Sequence, residues 1–223
     1  MLRIVVVFIA SVLAAAAAAA ELEVQVLDAD DAQPLADAVI SLHPASGAPA
    51  VAPGDAVVDQ RDSTFGPHVL AVTRGSRVRF PNSDNVLHQV YSFSEAKRFE
   101  LPLYSGQPPK SVHFPDAGVV ALGCNIHDQM SAFIVVLDTP YHAVTDADGR
   151  ARIKAPAGDY RLETWHERLQ GGQAVARPLR VDGTQVEPVE VSLALAPPPP
   201  PRIQDPRLRA LQDRFRSLKN DRR

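Results

Sequence analysis

Sulfur is scarce in this chain of 223 residues, which has one cysteine and two methionines. A single cysteine excludes an intrachain disulfide and a two-copper centre that needs two thiolates, so Cys124 is buried, paired with another molecule or bound to a ligand. Because one methionine is Met1, both internal sulfurs, Cys124 and Met130, fall with His127 inside GCNIHDQM, residues 123–130. This clustering of scarce side chains indicates a site rather than ordinary core packing.

Basic charge is also scarce in the main part of the chain. Residues 21–201 carry 14 Lys and Arg against 23 Asp and Glu, a net charge of −9, whereas residues 202–223 carry eight against three, a net charge of +5. Nucleic-acid binding needs a basic surface, so the main part is not expected to have a nucleic-acid partner.

Helical periodicity is absent before the C-terminal end. Short stretches that alternate apolar and polar residues lie between turns rich in Gly, Pro, Asp and Asn; they are LEVQVLD, SRVRF, HQVYSF, AFIVVLD, ARIKA and YRLETW. This pattern predicts an all-β fold of antiparallel sandwich or barrel type.

The two ends have compositions of their own. Residues 1–20 have a basic start, an apolar run and a small-residue stretch, typical of a signal peptide cleaved near Ala20, and the apolar run is short for a retained anchor. The expected location is therefore the periplasm. At the other end, residues 196–201 form a proline-rich linker.

Residues 202–223 form a basic tail, in which Asp205 and Pro206 are suited to begin a short helix. Its apolar residues fall on one helical face: Leu208, Leu211, Phe215 and Leu218. Such a helix could contact anionic lipid or an acidic partner, and a solvated tail is the alternative.

The flanks of the main part resemble one known type of domain. LEVQVLDADDAQPLADAVISL at 22–42 and VTDADGRARIKAPAGDYRLETW at 144–165 are similar to the two halves of carboxypeptidase-regulatory-like, transthyretin-like sandwiches. We expect residues 21–50 with 139–195 to form such a sandwich, with a second domain at 58–138 inserted in it or in series with it.

Four side chains of the middle segment form a candidate ligand set. Cys124, His127 and Met130 follow one predicted strand, and His88 begins another. A thiolate and two imidazoles with a weak thioether suit copper in one-electron transfer, while zinc on the cysteine and two histidines is the alternative. His68, in FGPHVL, is an open candidate for the same end of the fold.

The middle segment resembles the cupredoxin family. The resemblance rests on C-x-x-H-x-x-M at 124–130 and on F-x-P-x-x-x-x-V-x-x-G-x-x-V-x-F-x-N-x-D-x-x-x-H at 65–88. The spacing is similar to that of amicyanin, and to exported proteins labelled methylamine-utilisation proteins. It implies a cupredoxin Greek-key sandwich with one type 1 copper ion per chain, held by His88, Cys124, His127 and Met130.

The resemblance also implies surroundings for the copper ligands. An apolar surface around His127, formed by Val86, Leu87 and Ile126, would be the port for electrons. Asn82, Gln89 and Asp128 are the candidates for groups that support the ligands. Gln89 and Ile126 depart from the family pattern, which commonly has Asn after the first histidine and Pro before the second.

The expected function is a periplasmic electron carrier that exchanges single electrons with a dehydrogenase or a cytochrome. It is not expected to be an enzyme, because no nucleophile and base stand together in the sequence. Copper storage, delivery or sensing is the alternative, since a simple carrier needs neither the extra sandwich nor the tail. A structural scaffold that keeps only the fold is a third interpretation.

Overall fold

The computed structural model describes residues 19–47, 50–108, 110–127, 129–182 and 188–197. Within these ranges the chain is all-β, so the prediction of an all-β fold is confirmed. The described residues include no helix long and apolar enough to cross a membrane. The predicted helix at 202–223, most of the linker and Asp128 lie outside the described residues.

The strands are short and are joined by turns. In the first half they are β1 (Ala19–Asp28), β2 (Val39–Pro44), β3 (Asp55–Val57), β4 (Asp59–Arg61), β5 (Thr64–Gly66), β6 (Val69–Thr73), β7 (Arg77–Arg79), β8 (His88–Ser94) and β9 (Lys97–Tyr104). In the second half they are β10 (Val112–His113), β11 (Gly118–Gly123), β12 (Ser131–Leu137), β13 (His142–Val144), β14 (Arg150–Pro156), β15 (Gly158–Trp165), β16 (Val175–Val181) and β17 (Val189–Leu193).

These strands form five hydrogen-bonded sheets. Two sheets, in the orders β14-β1-β17 and β13-β2-β15-β16, take their strands from the two flanks of the chain. The middle segment forms the five-stranded sheet β6-β12-β11-β8-β9, the three-stranded sheet β10-β7-β3 and the hairpin β4-β5. The domain boundaries stay a prediction; β3 precedes the predicted boundary at 58 and pairs with β7.

Strand β12 shows why the middle segment lies against the flanking sheets. Its sequence SAFIVVL is almost wholly apolar, as expected for a strand covered on both faces. Val135 and Leu137 pack into the core of the flanking sheets, while Ile134 and Val136 pack into the core of the middle segment. One strand therefore contributes to both hydrophobic cores.

The predicted signal peptide lies outside the described residues except for its last two positions. Ala19 and Ala20 begin β1 and pair with Pro156 and Ala155 of β14. The cleavage position and the periplasmic location stay predictions.

Candidate metal centre

Strand pairing brings the predicted ligands to one end of the five-stranded sheet. His88 is the first residue of β8, and Cys124 directly follows the last residue of β11. Gly123 of β11 pairs with Tyr91 of β8, so the two strand ends lie side by side. His127 and Met130 belong to the loop that returns from β11 to β12, and the Met130 N–H donates a 2.9 Å hydrogen bond to the His127 carbonyl oxygen.

Three donor atoms converge at this end of the sheet. His88 Nδ1 lies 3.1 Å from His127 Nδ1, and Cys124 Sγ lies 4.0 Å from the first and 3.9 Å from the second. Among the described residues these three side chains form the one group of His, Cys, Asp or Glu suited to hold a metal ion. The two imidazole rings meet edge to face, with centroids 4.8 Å apart.

The spacing of the donor atoms fits a metal ion. A zinc-like ion with bonds of about 2.3 Å to sulfur and about 2.0–2.1 Å to nitrogen sets its donors roughly 3–4 Å apart, and the observed separations fall in that range. Met130 is buried in the same core cluster as Cys124. A cysteine, two histidines and a thioether are the donor types of a type 1 copper site, whereas zinc sites use Cys, His, Asp and Glu.

Asp84 fixes the orientation of the His88 ring, and sequence reasoning gave this residue no role. The Asp84 carboxylate accepts a 2.7 Å hydrogen bond from His88 Nε2, and the His88 side chain is fully buried. Because Nε2 carries the proton of this bond, the Nδ1 of a neutral His88 keeps its lone pair directed at Cys124 and His127.

The Asp84 carboxylate is itself held by a tight turn. Desolvation raises the pKa of Asp84, but hydrogen bonds from Ser63, His88 and Asp62 together hold that pKa below its usual 3.8. The backbone N–H groups of Asp62 and Ser63 donate to the carboxylate at 2.7 and 2.9 Å. The turn between β4 and β5 therefore supports a histidine that lies more than 20 positions away in the sequence.

Asn82 braces the loop that leads to His88. Its side-chain amide donates to the carbonyl oxygens of Val86 and Tyr104, at 2.9 and 2.8 Å, and its Oδ1 accepts the Asp84 N–H at 3.0 Å. Asn82 thus supports His88 through the backbone of the loop.

The Tyr104 hydroxyl is part of the same support. It donates to the Phe80 carbonyl oxygen and accepts a 2.6 Å hydrogen bond from Gln60. Burial raises the pKa of Tyr104 to about 12; the hydrogen bond from Gln60 opposes this, and the charges of Cys124 and Asp59 add to it. Tyr104 therefore stays protonated and keeps its donor role at neutral pH.

The other two candidates for groups that support the ligands are Gln89 and Asp128, and for neither does the structure describe a contact with a ligand. The Gln89 amide donates to Glu100 of β9 at 2.5 Å, which ties β8 to β9. Asp128 lies outside the described residues.

Three apolar residues that adjoin the two histidines in the chain are exposed. Val86, Leu87 and Ile126 expose 49%, 50% and 51% of their surface, and the half-buried His127 adjoins Ile126 in the chain. We call these three residues the apolar patch.

The remaining histidines lie outside the cluster of donor atoms. His43 pairs with Glu163, and His142 and His166 are partly or fully buried among the flanking strands. His68 does not join the ligands, but its ring bonds to Ser131, the residue after Met130. Trp165 is buried in the flanking core.

No family model and no curated protein matches this chain. Among solved structures, part of the chain is similar to a purple cupredoxin from Nitrosopumilus maritimus, with 20% identity, a TM-score of 0.33, and coverage of 37% of this chain and 99% of that one. A variant of amicyanin in its reduced Cu(I) form gives 25% identity, a TM-score of 0.34, and coverage of 44% and 98%.

A copper-containing nitrite reductase from Thermus scotoductus gives 25% identity, a TM-score of 0.36, and coverage of 42% of this chain and 24% of that one. These similarities span less than half of the chain.

Proposed function

We propose that this protein is an exported type 1 copper protein that carries single electrons between redox proteins. One observation carries the proposal: two imidazole Nδ1 atoms and the only thiol sulfur lie within 4.8 Å of one another, with a buried Met130 in the same loop. Copper, when bound at one ion per chain, would supply a one-electron couple.

The residues around the ligands would hold them in one arrangement. Asp84 orients His88, Asn82 braces the loop before it, and the backbone bond between Met130 and His127 closes the loop after Cys124. Ligands fixed in this way move little when the charge at the site changes, which favours rapid transfer of single electrons. A dehydrogenase or a cytochrome would dock at the apolar patch around His127.

The test is the visible spectrum of the purified protein during titration with Cu(II), with Zn(II) in a parallel titration. We expect an intense thiolate charge-transfer band at one copper per chain, absent from Cys124→Ser and shifted in Met130→Ala. A colourless protein, or equal copper affinity without Cys124, would contradict the proposal. Preference for Zn(II) over Cu(II) would assign the site to zinc.

A second function, copper storage or delivery, has its own supporting observation. A mainly polar cavity of about 370 Å³ lies against Cys124 and Met130, with Tyr91, Asn125 and Ser131 among its other lining residues. A polar opening beside the sulfur ligands would let a hydrated ion approach the site. Rapid exchange of bound copper with a chelator, together with slow electron exchange, would favour this function.

A further inference from the structure

His68 lies where the flanking sheets meet the ligand loop. It directly precedes β6, and β6 runs parallel to β12 with Val69 opposite Phe133. The Phe133 N–H donates a 2.8 Å hydrogen bond to the His68 carbonyl oxygen. The backbone of His68 is therefore fixed beside the start of β12, and β12 begins directly after Met130.

The two ring nitrogens of His68 contact two different parts of the protein. Nδ1 lies 3.2 Å from the carbonyl oxygen of Ser131, the first residue after Met130. Nε2 lies 3.2 Å from a carboxylate oxygen of Glu167, which follows β15 in the flanking part of the chain. One imidazole thus connects the first residue of β12 with the turn that follows β15.

Both partners of the His68 ring are hydrogen-bond acceptors, so the number of protons on the ring decides how many of the two hydrogen bonds can form. A carbonyl oxygen and a carboxylate oxygen cannot donate, so both contacts are hydrogen bonds only when both ring nitrogens carry protons. A neutral ring can donate to one of them alone. The imidazolium is therefore the form that holds both contacts together.

The charged groups around His68 are few. Glu167 is the one charged side chain that forms a hydrogen bond or ion pair with the ring among the described residues, while β12 contributes the Ser131 carbonyl and the ring of Phe133. Arg168 is engaged elsewhere, because its Nε donates to Ala196, and His166 accepts the Arg168 N–H. His68 and Glu167 keep 34% and 32% of their side-chain surface exposed, so solvent screens the pair and its stabilising energy is small.

We infer that His68 is a positioning residue that couples the flanking sheets to the copper ligands: as an imidazolium it holds Ser131, and with it Met130, against Glu167. The inference rests on the proposed copper site. Loss of the ring proton releases one of the two contacts, so the position of Met130 and the electronic state of the site would depend on pH. Histidines change charge between pH 5 and 8.

Two substitutions separate this coupling from a merely structural role. Glu167→Gln replaces the carboxylate with an amide that can donate to Nε2, so a neutral His68 can keep both contacts through Nδ1–H and the Nε2 lone pair. We expect this variant to retain the low-pH state from pH 5 to 8. His68→Gln removes the imidazole, and we expect it to retain the high-pH state over the same range.

The first measurement is made on metal-free protein, by following the amide NMR signals of Ser131 and Phe133 between pH 5 and 8. The wild type should show one shared titration, which His68→Gln loses and Glu167→Gln shows with a smaller amplitude, because its ring still takes up a proton but both contacts persist. Near-ultraviolet circular dichroism confirms that both variants are folded. If His68→Gln titrates like the wild type, the inference is wrong.

The second measurement is the pH dependence of the reduction potential and of the charge-transfer band in copper-loaded protein. The wild type should change, His68→Gln should stay constant, and Glu167→Gln should change less than the wild type. A constant potential in the wild type, with the metal-free titration present, would overturn the coupling to the ligands. Absence of copper binding with the metal-free titration intact would overturn the proposed function while supporting the link between His68, Glu167 and Ser131.

Discussion

The Nδ1 atoms of His88 and His127 lie 3.1 Å apart, although the two residues are separated by 39 positions in the sequence. Since Nε2 of His88 donates to Asp84, its Nδ1 is an acceptor in the neutral ring. Two imidazole lone pairs at this distance repel unless a cation or a proton lies between them. Either a proton on His127 Nδ1, which makes the contact a hydrogen bond, or a metal ion shared by both rings satisfies this condition, while Asp84 keeps the Nδ1 lone pair of the neutral His88 directed at this point.

Asp84→Asn should weaken copper binding by roughly 10–100-fold, the usual cost of removing a group that orients a histidine ligand. An asparagine can still accept one hydrogen bond, but it lacks the charge that favours a protonated Nε2. Competition with a chelator of known affinity measures the effect. Exposed Asp116→Asn is the matched control; equal losses in the two variants would contradict a specific role for Asp84.

The turn that holds Asp84 is strained. Asp62 and Ser63 have φ angles of 53° and 54° and connect the paired residues Arg61 and Thr64 in a two-residue hairpin turn. Both angles are positive, as in a type I′ turn, for which Asp-Gly is a preferred sequence. Ser63→Gly should therefore stabilise the protein by about 0.5–1 kcal/mol, the cost of the left-handed conformation less the entropy of glycine.

Urea denaturation of metal-free protein measures this change. Arg61→Gly, which adds a glycine on the same hairpin at a residue whose φ is not positive, is the control and should lower the urea midpoint. A lower urea midpoint for Ser63→Gly would mean that the Ser63 side chain has a role beyond its backbone N–H.

The candidate ligands could be chosen from the sequence because their residue types are rare and closely spaced in this chain. Cys124 and Met130 are its only internal sulfur residues, and alternation of apolar residues located the strands on either side of them. The role of Asp84 was not predictable: an aspartate in a polar loop is common, and its partners Asp62 and Ser63 come from another hairpin. The contact of His68 with Glu167 spans 99 positions and depends on how the sheets stack, which a local pattern does not encode.

The pH dependence of stability should reflect His166. Burial is the main cause that lowers the pKa of His166 from 6.5, and its Nδ1 accepts the Arg168 N–H, which requires the neutral ring. The folded pKa lies below the unfolded pKa, so His166 contributes stability above pH 6.5. This contribution is lost as the pH falls, because the unfolded chain takes up the proton first.

His166→Asn keeps an acceptor near the Nδ1 position and removes the titration. The stability of the wild type relative to this variant should fall as the pH drops below 6.5, by at most about 1.4 kcal/mol per pH unit. Urea unfolding at several pH values gives the difference. A constant difference would show that the His166 ring accepts a proton as readily in the folded protein as in the unfolded chain.

The Tyr91 ring lies so close to Gly123, the residue before Cys124, that it leaves no room for a side chain there. A Cβ at this position would lie 2.7 Å from Tyr91 Cζ and 2.8 Å from its hydroxyl oxygen. Gly123→Ala should therefore destabilise the protein by about 1–3 kcal/mol, the range for overpacking. Combined with Tyr91→Ala it should cost less than the sum of the two single changes, by more than about 0.5 kcal/mol. Additive costs in urea unfolding would show that the ring is free to move aside.

The apolar patch gives a prediction that needs no natural partner protein. If electrons leave through His127, two copies of the protein can exchange electrons by bringing their patches together, and a charge at the centre of the contact would oppose this. Like charges placed together at an interface cost several kcal/mol, and 1.4 kcal/mol is a factor of ten. Ile126→Lys should therefore slow electron self-exchange, measured by NMR line broadening in mixtures of reduced and oxidised protein, by at least about tenfold.

Val175→Lys adds the same charge at an apolar residue with 45% exposure outside the patch, and it should leave the rate near that of the wild type. Equal slowing by the two lysines would mean that net charge, rather than the patch, controls the exchange. An unchanged rate in Ile126→Lys would place the route for electrons elsewhere. The next aromatic pair to test would be Tyr91, which lies opposite Gly123, and Phe93.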